Sequence, residues 1–246
     1  IKNLIFAIFA TASLFVACDV IPENDRLTEV ELTPSDRTVL LVEFTGNRCV
    51  NCPGAAMVAH DMLEVIPENV VVVGMHPAGI VYTNPMDPTI NLSSEDAMEY
   101  LKFYGGSQST GLPVGVVNGR QVDGTYLQGS SKWTAQVFAQ REIAPKCLIG
   151  LNHAVEGANH TVVATLKPQV EIESASLLFW LVESNIVGPQ SIDATLVDSY
   201  QKANPNAEID HGTVSNYVHN HVFRACLNGF WGEELDKLSA ISNDPT

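Results

Sequence analysis

Two cysteines separated by two residues stand where an apolar run meets a turn, in LVEFTGNRCVNCPG (residues 41–54). At that spacing Cys49 and Cys52 suit reversible thiol–disulfide exchange, a passive disulfide staple, or half of a metal site. A metal needs further ligands, and no second CxxC occurs in the sequence. His60 projects from the following helical segment and His76 ends the next strand, so neither is an evident third ligand. No metal or other cofactor is expected. Pro53 follows the second cysteine, and its missing N–H is harmless in the first turn of a helix, which places Cys49 at a helix N-terminus. Aligned peptide dipoles and free N–H groups stabilise a thiolate there, and Arg48 adds to this if its side chain turns inward. Cys49 is then the more exposed, attacking thiol, and Cys52 the resolving one.

The elements that must hold this pair follow from periodicity. TVLLVEF (38–44) and NVVVVGMH (69–76) are continuous apolar runs, as expected of parallel strands covered on both faces. Between them Ala55, Val58, Ala59, Met62 and Ile66 recur at helical spacing, and Pro67 ends the helix. A proline-rich insertion precedes SSEDAMEYLKFYGG, where Ser93 and Asp96 suggest a capping box and Gly105–Gly106 a stop. GLPVGVVNGRQV reads as a strand, an Asn118–Gly119 turn and a return strand, and SSKWTAQVFAQREIAP as a closing helix.

Strand, helix, strand, helix, hairpin and helix, with CVNC at the first strand-to-helix junction, resemble the thioredoxin superfamily. LVEF stands where that family carries a buried acid, CVNC at its redox motif, and GLPV at its cis-proline. Arg48 replaces the tryptophan common before the first cysteine, and Val50–Asn51 is the intervening dipeptide. The resemblance implies that Glu43 passes a proton at the buried side. It also implies that Pro113 keeps the substrate backbone in register and hinders metal capture. A solvated strand-end carboxylate and an ordinary trans proline are the plainer readings of those two residues.

The chain of 246 residues carries 13 Lys and Arg against 28 Asp and Glu, a formal charge of −15. With no basic run, nucleic acid is excluded as a partner. A hydrophobic content of 46% is that of a globular chain. At the start, IKNLIFAIFATASLFVAC has a positive residue, an apolar run too short to span a bilayer, and LFVAC, which resembles a lipobox. We read 1–17 as a lipoprotein signal peptide, Cys18 as the lipidated residue, and 18–35 as a polar tether.

Residues 36–145 form the thioredoxin-like α/β domain in this reading. Residues 146–246 change pattern: CLIGLNHAV, HTVVATLK and ASLLFWLV alternate as antiparallel strands of a sandwich-like (Ig-like) all-β domain. The polar stretch 184–216 is longer than ordinary connections and suggests a binding loop. His219 and His221 alternate, so a strand would set both on one face as weak metal-ligand candidates, with strand packing the simpler account. Cys147 and Cys226 are candidates for a structural disulfide across the sandwich. The strands present are fewer than a closed sandwich needs, so this domain is expected to be incomplete and to continue beyond Thr246.

The signal, TGNRCVNCP, VESNIVGPQ and YVHNHVFRACLNGFWGE together resemble a Bacteroidetes family of outer-membrane lipoproteins named for a twenty-eight-kilodalton outer membrane protein. The resemblance implies the cell envelope, lipid-anchored at the outer membrane. The expected function is thiol–disulfide exchange on extracytoplasmic protein substrates through Cys49–Cys52. The competing reading is a surface binding protein or adhesin on a redox-inactive scaffold, and a third is a metal-binding lipoprotein using His219 and His221.

Overall fold

The computed structural model describes residues 37–240; the signal peptide, Cys18 and the tether lie outside the described residues. The fold is mixed α/β, mostly strands with few helices. Its first apolar run forms β1 (Val39–Phe44), followed by α1 (Cys52–Val65) and β2 (Val70–Met75), with β1 and β2 parallel and in register from Val39↔Val70 to Phe44↔Met75. Alternate residues of a strand face opposite sides. One face buries Val39, Leu41, Val70 and Val72 against Ala55, Ala59 and Met62 of α1. The other buries Val42, Phe44, Val73 and Met75 against α2 (Glu95–Phe103). Burial on both faces explains why these strands read as uninterrupted apolar runs.

Ser94, rather than Ser93, caps α2 by accepting from the Ala97 N–H. Ser93 instead bonds Asn91 Oδ1. β3 (Val114–Val117) runs antiparallel to β1, and the Leu112–Pro113 peptide leading into it is cis. Asn118 and Gly119 turn with positive φ as expected, yet the return makes only the isolated bridges Val122↔Thr125 and Gly115↔Gln128. Gly115 is required there, because a Cβ at that position would lie 2.6 Å from the buried Trp133 indole. Trp133 opens α3 (Trp133–Arg141), which closes the α1 face.

The second half departs from the expected division at residue 146. Its elements are β4 (Cys147–Glu156), β5 (Asn159–Pro168), β6 (Ala175–Leu177), β7 (Trp180–Glu183), β8 (Ile186–Ser191), α4 (Val197–Ala203), β9 (Ile209–Asp210), β10 (Thr213–His219), β11 (Val222–Cys226) and β12 (Glu233–Leu235). They do not assemble into one sandwich. β11 and β7 extend the first sheet, giving the order β3-β1-β2-β11-β7, while β8-β10-β9, β6-β12 and β4-β5 pair separately. Residues 149–166, most of the β4–β5 hairpin, form the described part of one compact unit, and the other described residues belong to the second. The physical reason is an open edge. β2 has β1 on one side, and β11 joins its other edge at Val222↔Gly74, where the Gly74 N–H donates to the His221 carbonyl at 2.8 Å. The stretch read as one strand at 175–182 breaks into β6 and β7, and the long polar stretch holds β8, α4 and β9.

Candidate functional site

Cys49 and Cys52 are disulfide-bonded, with Cα atoms 5.4 Å apart. The second cysteine opens α1 and Pro53 occupies its first turn, so the pair sits at the helix N-terminus. Both cysteines are buried, at 3% and 2% exposure, which corrects the expectation of an exposed Cys49. The cover comes from far along the chain. The Gln190 side-chain amide donates to the Cys49 carbonyl at 3.0 Å and the Gly46 carbonyl at 3.2 Å. Ser191 N–H donates to Asn47 O and Asp193 N–H to Val50 O, while Leu196 packs at Gly54. Arg48 does not turn toward the sulfurs: its guanidinium donates to the Asn84 and Pro85 carbonyls.

Below the disulfide the apolar rows of the sheet end in polar groups. On the α1 face, β1 runs Val39, Leu41, Glu43, and β2 runs Val70, Val72, Gly74, with His76 one residue beyond. Glu43 and His76 are 5% and 3% exposed. Burial lifts the Glu43 carboxyl to about 7, against a smaller lowering by the Thr45 hydrogen bond. Burial drives His76 down to about 3, aided by His219 and Arg224. His219, at the end of β10, is 4% exposed and pushed down to about 4 by burial, against carbonyls of Gly188 and Pro189 that accept from its ring. Both imidazoles are therefore neutral at pH 7. Glu43 Oε1, His76 Nδ1 and His219 Nε2 are buried without a hydrogen-bond partner. All three side chains and Cys52 line one cavity of about 1010 Å³. It lies at the carboxyl ends of parallel strands, where open α/β sheets place ligands.

Pro113 enters β3 beside the Phe44↔Val114 pair, next to where β1 hands over to the cysteine turn. His219 and His221 do not share a strand face: β10 ends at His219, and His221 has a positive φ in the turn to β11. Among the described residues no group of three His, Cys, Asp or Glu side chains is placed to hold a metal ion. Cys147 and Cys226 are both free thiols, correcting the expected pairing. The Cys147 Sγ faces the Leu148 carbonyl at the start of β4, whereas Cys226 ends β11 against the Tyr100 hydroxyl. Gln190 was missed because nothing local marks it. His76 was legible only as the end of its strand, and nothing in the sequence joins it to Glu43.

A family model described as outer membrane protein Omp28 matches residues 98–244, more than half of the chain. The chain belongs to the Omp28 family. The Omp28 match includes Pro113, Gln190 and His219 and begins after Cys49 and Cys52, so family membership and the disulfide are independent observations. A crystal structure of a protein from Agrobacterium tumefaciens resembles this Omp28 chain at 17% identity and a TM-score of 0.47, covering 85% of this chain and 81% of its own. No curated protein matches. Among the described residues no helix is long and apolar enough to cross a membrane.

Proposed function

We propose that this Omp28-family protein, of Bacteroidetes type, is an outer-membrane lipoprotein anchored through Cys18. In this reading its thioredoxin-like domain exchanges thiols and disulfides with extracytoplasmic proteins. The observation that carries it is a buried carboxyl poised near neutrality, Glu43, on the same cavity as a helix-terminal cysteine. A substrate thiolate attacks the Cys49 sulfur, the Cys49–Cys52 bond breaks, and its electron pair leaves on Cys52. Glu43 gives Cys52 a proton. A second substrate thiolate then attacks its own sulfur in the mixed disulfide and releases Cys49. The substrate leaves with a disulfide, oxidised by two electrons, and the protein is left as the dithiol; the reverse sequence reduces a substrate. Pro113 lies beside the strand that a bound substrate backbone would extend.

The test is the reduction potential of the pair, from redox-buffered protein alkylated and read at Cys49 and Cys52. A midpoint between about −120 and −270 mV is expected, and one below about −300 mV marks a structural staple and overturns exchange. The burial of both cysteines, with Gln190 bonded to the Cys49 carbonyl and Leu196 packed at Gly54, favours a second reading, a surface binding protein or adhesin with an inert disulfide. Cys49→Ser separates the two, abolishing exchange and leaving partner binding intact.

A further inference from the structure

The cavity beside the disulfide has a floor that the exchange reaction leaves unexplained. Exchange employs one carboxyl, yet two neutral imidazoles are buried with it and none of the three has satisfied its inward polar atom. Polar atoms left unpaired in a buried site are costly, and on a cavity wall they are available to a ligand. The Thr45 hydroxyl bonds the Glu43 carboxylate, leaving Oε1 as an acceptor. His219 meets the backbone of β8 at Gly188 and Pro189 and leaves its Nε2 buried without a partner. His76 Nδ1 is the third group, on a ring that carries no charge at neutral pH.

We propose that this cavity binds a primary ammonium group, carried by a lysine side chain or by a small free amine. An ammonium has three donors and no acceptor, which suits a cavity lined by a carboxyl and two neutral imidazoles, each with an unpartnered polar atom, at three strand ends. No lysine or arginine lines the cavity, whereas Asp61 and Glu64 stand on its wall with Glu43 at its floor, so the local potential favours a cation. Gly74, directly across from Glu43, adds no side chain to the space between the rows. A volume of about 1010 Å³ accommodates far more than the ammonium head, and Asn204, Asn206 and Tyr217 are placed to meet what the amine is attached to. The proposal stands apart from exchange, since the three unpartnered groups line the cavity whether or not the disulfide reacts.

Calorimetric titration of the intact protein at pH 8 in amine-free buffer tests it, with n-butylammonium, an end-blocked Gly-Lys-Gly peptide and its norleucine counterpart. Saturable binding of the amines, with the norleucine peptide at least about tenfold weaker, is expected from a charge-assisted set of hydrogen bonds. Butylammonium equal to the lysine peptide identifies a free amine as the ligand; a lysine peptide at least about tenfold tighter identifies a polypeptide. Glu43→Gln and, separately, His219→Phe each weaken amine binding by about tenfold or more. Two variants at different strand ends keep the test open should one of them fail to fold. Cys49→Ser, which stops exchange, retains amine affinity, so the two proposals fail separately. Equal binding of the norleucine peptide, no binding of either amine, or zinc binding that amines do not displace overturns the proposal.

Discussion

Glu43→Gln is a perturbation whose size follows from the geometry. Burial at the end of an apolar row lifts the carboxyl from 4.5 to about 7. The folded state therefore holds this proton more tightly than the unfolded chain does. The group's contribution to stability is full below pH 4.5 and is lost as pH rises through 7. A shift of that size corresponds to about 3 kcal/mol. Glutamine keeps the shape and cannot ionise. The stability difference, wild type minus Glu43→Gln, should thus fall by about 3 kcal/mol between pH 4.5 and pH 8. Urea unfolding of the disulfide-intact proteins across that range, in phosphate rather than an amine buffer, reads it directly. His76 and His219 titrate with the opposite sign: their folded values are depressed, so stability present above 6.5 is lost as pH falls toward about 3 and 4. They are common to both proteins and cancel in the difference. A difference that stays flat with pH would refute the reasoning, because it would mean Glu43 ionises in the folded state as it does in water.

Other consequences are more local. Gln190→Ala removes the amide bonds to the Cys49 and Gly46 carbonyls, and iodoacetamide should alkylate the reduced Cys49 about tenfold faster; an unchanged rate would show that Gln190 does not hold the cover down. Gly115→Ala drives a methyl into the Trp133 indole and should destabilise the protein by about 1–3 kcal/mol in thermal melts, with no loss contradicting the packing. Alkylation in denaturant without reductant should label Cys147 and Cys226 and spare Cys49 and Cys52; a Cys147–Cys226 crosslink in peptide mass maps would refute the assignment.

Local pattern carried much of the first half. Continuous apolar runs gave β1 and β2, the spacing of Ala55, Ala59 and Met62 gave the buried face of α1, and Pro53 gave its first turn. Those signals repeat every two or every three to four residues, so neighbours alone reveal them. The sandwich expectation failed for a related reason. Alternation shows that a segment is a strand, and it is silent on which edge the strand will join. β11 pairs with β2 because that edge was open, a fact no window around Val222 contains.

The sequence by itself determined the cysteine pair, its seat at a helix start and the acid at the end of β1. Only the tertiary structure decided that Gln190 lies over Cys49, 141 residues away, and that His219 comes to the cavity that Glu43 and His76 line. Residue type and short-range spacing set local conformation, whereas burial, and with it every shifted pKa and every orphaned polar atom, is set by segments that meet only once the chain has folded.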